Sequence, residues 1–173
     1  MARKLLLRSL GSTISRAADP RFLFAHPAHL LALGFGTGLI PKAPGTFGTL
    51  VGFVLYWLLT RLPAQAFWPV LLLLFLLGIW ICGVTGRALG AADHSGMVWD
   101  EIVAFALVLA FTPATLAWRV AAFVLFRLFD IWKPYPIRYF DRTVKGGFGV
   151  MFDDLLAAGY AVAVLLIAQR FLA

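Results

Sequence analysis

The chain is expected to be all-α: a polytopic membrane bundle of about four to five short hydrophobic helices, with glycine- and proline-rich loops on the cytoplasmic side. Three observations predict this. Of 173 residues, 62% are hydrophobic and only 13% charged, whereas a water-facing surface needs roughly 25% charged residues. Mean hydropathy is correspondingly high, at +0.90. The intervals between charges are also long: 18 residues from Ala43 to Thr60, 25 from Leu62 to Gly86, 17 from Ile102 to Trp118 and 15 from Leu155 to Gln169.

Each element follows from these runs. Residues 1–25 carry basic side chains around a short apolar triplet, Leu5 to Leu7, with no convincing cleavage site. They read as a basic arm or interfacial helix rather than a secretory signal. Residues 26–173 are expected to form one membrane-embedded domain, a catalytic one if its acidic residues act together. A turn segment from Gly34 to Leu50, rich in Gly and Pro, precedes the first long run. Crossings are expected near 47–62, 67–85, 101–115, 116–132 and 154–171. A span needs about 20 apolar residues, which only the run around Phe67 to Val84 meets outright; the others are short, with charged ends reaching the headgroups. Arg119 and Arg127 suit the two ends of the 116–132 helix. With the N-terminus inside, twelve of the 15 Lys and Arg residues fall on the cytoplasmic side, leaving Arg61, Arg119 and Arg170 outside, as the positive-inside rule requires.

Several function classes drop out. The single Cys82 can make no internal disulfide, and its spacing to Arg87 is not that of a thiol phosphatase loop. His26, His29 and His94 lack zinc-ligand spacing, and no G-x-S-x-G elbow occurs. No acidic residue lies between Lys42 and Asp93, so the Gly34–Leu50 segment is not a dinucleotide fingerprint, nor is it a Walker loop. The net charge of +7 favours an anionic membrane leaflet as partner. Nucleic acid is not expected, because the cations flank apolar runs and form no separate soluble face. Nothing in the sequence points to a particular oligomeric state.

The acids carry the functional signal. Seven of the eight, Asp93, Asp100, Glu101, Asp130, Asp141, Asp153 and Asp154, lie between residues 93 and 154, on the cytoplasmic side of this topology. Asp100-Glu101 and Asp153-Asp154 stand at expected helix starts, where acids also serve as caps. Asp130 lies near the end of the helix that Pro134 must stop, where the dipole disfavours it and Arg127 and Lys133 are its local partners. Gathering carboxylates at one end is costly unless cations hold them together, and Mg²⁺, which prefers oxygen ligands and leaves room for phosphate, is the natural cation. The block from Phe126 to Asp154 places Arg127, Lys133, Arg138, Arg142 and Lys145 among four of the acids, with Gly146, Gly147 and Gly149 expected to form a loop. Cations beside a metal cluster point to phosphate. Positive-inside anchoring accounts for some of these cations equally well, as an interfacial belt does for Trp132, Tyr135 and Tyr139. At the turn before the first run, Lys42 and Thr46 offer phosphate contacts, with Thr46 also a candidate N-cap.

Three motifs, PKAPGTFGTL (41–50), DHSGMVWDE (93–101) and FRLFDIWKPYPIRYFDRTVKGGFGVMFDD (126–154), resemble those of the bacterial phosphatidylglycerophosphatase A family. Ala104 and Ala158 stand where that pattern tends to have glycine. The resemblance implies an integral inner-membrane, Mg²⁺-dependent phosphatase that removes the terminal phosphate of phosphatidylglycerophosphate, a phospholipid of the cytoplasmic leaflet. The expected metal ligands are Asp100, Glu101, Asp130, Asp153 and Asp154. Asp100, Glu101, Asp130, Asp154, Arg127 and Lys133 are the expected catalytic set, and Lys42, Thr46, Arg138 and Arg142 the substrate-binding one. Whether water or an aspartate attacks phosphorus is open from sequence. The competing readings are another Mg²⁺-dependent lipid-headgroup phosphotransferase, whose D-G-x-x-A-R signature is absent, and a divalent-cation binding or transport protein, which would carry ionisable groups at mid-bilayer.

Overall fold

The computed structural model describes residues 18–172, which are helical and contain no strand. Most of the basic arm lies outside the described residues. Three short elements come first: α1 (Pro20–Ala25), α2 (Pro27–Ala32) and a 3₁₀ segment (Gly34–Leu39). Proline occupies the first turn of α1 and α2, where its missing N–H costs nothing. The Asp19 carboxylate and the His26 ring cap them, accepting from the N–H groups of Phe22 (2.7 Å) and Ala28 (3.0 Å).

Five longer helices follow: α3 (Pro44–Leu59), α4 (Ala64–Leu89), α5 (Trp99–Ala110), α6 (Leu116–Trp132) and α8 (Gly146–Leu172), with the short α7 (Ile137–Thr143) before the last. Gly90, in the left-handed conformation, closes α4. Lys133, also left-handed, closes α6 just before Pro134. The helices alternate in direction. The starts of α3, α5 and α8 and the ends of α4 and α6 therefore share one end of the bundle.

Two expectations need correction. The last helix is not short: α8 has 27 residues and, like the 26-residue α4 whose run already had the full length, is long and apolar enough to cross a membrane. In addition, the glycines at 146–149 are not a loop but the first turn of α8. A Cβ on Gly147 would collide with the carbonyl oxygen of Ile79 and crowd the Gly83 nitrogen, so glycine here lets α8 lie directly against the α4 backbone. A glycine cluster reads as a loop from sequence because the same residue serves turns and close helix crossings.

The core is continuous around α5. On one side Val98, Trp99, Ile102 and Val103 pack with Ile81, Cys82, Met151 and residues of α2 and α3. On the other, Phe105, Val108 and Leu109 pack with Phe126 and the small side chains Ala157, Ala158 and Ala161 of α8. The Phe105 ring meets Phe53 edge-on at 4.9 Å and Phe126 at 5.6 Å, geometries that add to simple area burial. Ala104 and Ala158 are both buried here, so their methyl groups are accommodated between α5, α6 and α8. At 12 residues, α5 is only about 18 Å long, and nearly all of it is enclosed. Large apolar side chains are instead exposed along α3, α4, α6 and α8, among them Val54, Trp57, Leu73, Trp80, Val124, Ile131 and Ile167.

Candidate active site

At the shared end, a cavity of about 240 Å³ opens between the helices; its lining includes Gly45, Asp93, Ser95, Asp100, Glu101, Arg127, Asp130, Lys133, Asp153 and Asp154. Sequence positions more than 50 residues apart converge because four helix ends meet. Asp100 and Glu101 stand in the first turn of α5, Arg127 and Asp130 near the end of α6, Lys133 at its cap, and Asp153 and Asp154 two turns into α8.

Six carboxylates and two cations line this space. The Arg127 Nη1 forms an ion pair with Asp130 at 2.6 Å and donates to Glu101 Oε1 at 3.4 Å. The same nitrogen reaches Thr49 Oγ1 at 3.5 Å, and that hydroxyl donates to the Gly45 carbonyl at 2.8 Å. Lys133 Nζ donates to Asp141 Oδ1 at 2.8 Å and to Asp153 Oδ2. Of the two local partners expected for Asp130, then, Arg127 is used, while Lys133 turns toward α7 and α8. Burial lowers the Lys133 pKa, but the charges of Asp153 and Asp141 outweigh it and the net shift is upward. Asp141 is shifted down, since Lys133 overcomes the opposing effect of its own desolvation. Lys133 thus stays an ammonium. Asp93, at the rim, is raised, first by desolvation.

Asp100 and Asp154 have no cation of their own. Both are buried, at 8% and 3% exposure, and oxygens of Asp100, Glu101 and Asp154 lie within 4.8 Å of one another. Asp100 Oδ1, Glu101 Oε2, Asp153 Oδ1 and Asp154 Oδ2 are buried without a hydrogen-bond partner among the described residues. Each such charged oxygen costs several kcal/mol when desolvated and unpaired. A group of hard oxygen donors in this condition fits a divalent cation, which would satisfy them together. The N-terminus of α3 comes up against the same cluster: a Cβ on Gly45 would collide with Glu101 Oε1 and stand 3.0 Å from Arg127 Nη1. Proline and glycine at the first two positions of α3 therefore bring the positive end of a 16-residue helix to the cavity wall.

The catalytic and metal sets expected from sequence thus come together in one cavity. The substrate-binding set divides. Arg138 and Arg142 are exposed and line a neighbouring groove that shares Lys133 with the cavity. Lys42 is exposed and Thr46 half-buried, and neither lines it. Thr46 is also not an N-cap, because α3 begins at Pro44 after a left-handed Ala43 and no side chain caps it. The cavity adds Asp93, Ser95 and Gly45, which the sequence-based residue sets omit. Asp93 belongs to the 93–101 motif, but a loop residue has no periodicity to show which way it turns. His94 beside it accepts from the Gly96 N–H at 3.0 Å within that loop.

A buried, oxygen-rich cluster bordered by Arg, Lys and a helix N-terminus, on a helical scaffold with two membrane-length apolar helices, defines a class: helical proteins with a buried acidic cluster that could bind a metal ion. The chain belongs to the phosphatidylglycerophosphatase A family, whose model matches residues 30–169. It is 50% identical over 149 residues to the phosphatidylglycerophosphatase A of Haemophilus influenzae, covering 85% of this chain and 91% of that one. Identity to the Escherichia coli phosphatidylglycerophosphatase A is 42% over 149 residues, covering 86% and 87%. A Bacteroides thetaiotaomicron protein named as a candidate phosphatidylinositol-3-phosphatase is 38% identical over 148 residues, covering 81% and 92%. No solved structure matches the chain.

Proposed function

We propose that this protein hydrolyses phosphatidylglycerophosphate to phosphatidylglycerol and inorganic phosphate, in a Mg²⁺-dependent reaction at the cytoplasmic face of the bacterial inner membrane. The observation that carries the reading is the buried cluster of Asp100, Glu101 and Asp154, each with one oxygen that has no hydrogen-bond partner among the described residues, in a chain whose relatives are named as phosphatidylglycerophosphatases. Exposed apolar side chains on four helices support insertion, with α4 and α8 spanning and α3 and α6 packed beside them.

In this reading Asp100, Glu101 and Asp154 hold the cation, with Asp153 and Asp130 at its margin. Bound Mg²⁺ supplies Lewis acidity toward phosphate oxygens and lowers the pKa of water. The chain does the rest. Arg127, anchored by Asp130 and Thr49, and Lys133, anchored by Asp141, present positive charge where the phosphoryl group gathers negative charge in the transition state. The α3 N-terminus adds its dipole on the same side, with Lys42 and Thr46 beside it as weaker attractors for the headgroup. Net hydrolysis forms a P–O bond from water and breaks the bond to the terminal glycerol oxygen, which takes up a proton as the water gives one up. Arg127 and Lys133, each fixed by its carboxylate partners, hold the anionic group in one orientation.

The test is phosphate release from phosphatidylglycerophosphate by the purified protein in neutral detergent. Release should stop with EDTA and return with excess Mg²⁺. Absence of release at every Mg²⁺ concentration would end the phosphatase reading, and full activity in EDTA would end the metal reading alone.

A further inference from the structure

Beside the carboxylate cavity, between the end of α6 and α7, lies an open groove of about 540 Å³. Its wall includes Trp132, Lys133, Tyr135, Arg138, Tyr139 and Arg142, and no carboxylate lines it. The two spaces meet at Lys133, the one charged side chain that lines both. Their charged linings differ: the cavity has an excess of carboxylates, whereas the charged side chains of the groove, among the described residues, are Lys133, Arg138 and Arg142. Arg138 and Arg142 stand four residues apart on α7 and so share a face. Arg138 Nη2 donates to the Trp132 carbonyl at 3.1 Å, which holds that guanidinium over the groove. Trp132, Tyr135 and Tyr139 are all more than half exposed, as expected of side chains lying among lipid headgroups.

The substrate of the hydrolase reading has the matching layout. It bears two phosphates joined by a glycerol: a terminal monoester, which needs a metal, and a diester leading to the acyl chains, which does not react. We propose that Arg138 and Arg142 bind the diester phosphate of the substrate in this groove while the terminal phosphate occupies the carboxylate cavity, with Lys133 at the boundary. The proposal rests on the hydrolase reading and deepens it by assigning the second phosphate. Surface anchoring alone would ask only for exposed charge near the membrane; it does not account for two arginines on one face of a concave groove that joins the reactive cavity. A singly charged diester needs no metal and suits arginine donors, which offer directed hydrogen bonds to two oxygens. The arrangement also gives selectivity. Phosphatidic acid, whose one phosphate sits directly on diacylglycerol, cannot fill both spaces at once.

The test compares the wild type with R138Q/R142Q, and with R138K/R142K, in two assays. In EDTA and neutral detergent, binding of phosphatidylglycerol, which keeps the diester and lacks the monoester, should weaken about tenfold in R138Q/R142Q and recover in part in R138K/R142K. With Mg²⁺, the ratio of kcat/KM for phosphatidylglycerophosphate to that for phosphatidic acid should fall about tenfold, with the loss mainly in KM. Unchanged phosphatidylglycerol binding, or an equal loss on both substrates, would overturn the assignment. Displacement of phosphatidylglycerol by millimolar inorganic phosphate would overturn it too, by making the groove a site for free phosphate. If the wild type binds phosphatidylglycerol through these arginines yet releases no phosphate from phosphatidylglycerophosphate, the hydrolase reading fails while the diester site stands.

Discussion

The two ends of the bundle treat polar groups in opposite ways. At the far end, Thr60, Arg61, Thr112 and Gln169 find partners close by. Gln169 Nε2 donates to the Phe111 carbonyl at 3.0 Å, Thr60 Oγ1 to the Trp57 carbonyl at 2.8 Å, and Arg61 lies 4.7 Å from the centre of the Trp57 ring. At the near end, two cations are shared among four carboxylates, and four carboxylate oxygens have no hydrogen-bond partner among the described residues. The far end is arranged for stability. The near end leaves buried carboxylate oxygens that could bind a metal ion, at a cost in stability. The α5 helix joins the two, with acids in its first turn and apolar side chains over the rest.

The largest effect that would break this contrast is expected at Asp154. Changing Asp154→Asn should lower turnover on phosphatidylglycerophosphate by roughly a thousandfold. In EDTA, the variant should melt at the same temperature as the wild type or higher, because a desolvated charge has been removed from a repelling cluster. A turnover within a few fold of wild type, measured by phosphate release, would take Asp154 out of the site. A smaller effect is expected for Gly45→Ala. Its new methyl group meets Glu101 Oε1 and Arg127 Nη1, so the α3 N-terminus or the Glu101 carboxylate must give way. Activity should drop by roughly 10- to 100-fold, with a raised Mg²⁺ requirement, and a Mg²⁺ titration of activity checks it. The smallest effect belongs to the far end: Gln169→Ala should cost about 1 kcal/mol of stability or less and leave turnover within about twofold. Thermal melting and the same phosphate assay decide it. A catalytic defect there would show that the division of labour between the ends is wrong.

Much of this architecture can be read from the chain alone, for identifiable reasons. Charge-free runs locate α3, α4, α5 and the later part of α8 because apolar length is a local property, and Pro134 marks the end of α6. The acids declare a site because carboxylates are scarce in so apolar a chain. What depends on packing is hidden. The start of α8 at Gly146 is masked because Gly147 is needed for contact with Ile79, 68 residues earlier, and no local pattern encodes that. Lys133 lies three residues from Asp130 but pairs with Asp141 and Asp153, because the left-handed cap at Lys133 and the turn after it redirect its side chain. Asp93 and Ser95 enter the cavity from a loop tied down by the Val98 N–H bond to the Ala32 carbonyl at 2.9 Å, a contact between segments far apart in sequence.

The close seating of Gly147 against Ile79 has a mechanical consequence. Six and seven residues further along α8, a rise of roughly 10 Å, stand Asp153 and Asp154. A helix held backbone to backbone at its first turn has little freedom to slide or roll. The carboxylates it carries are therefore indexed to α4 much as teeth are to a fixed rack. Little reorganisation is left to perform when a charged headgroup arrives.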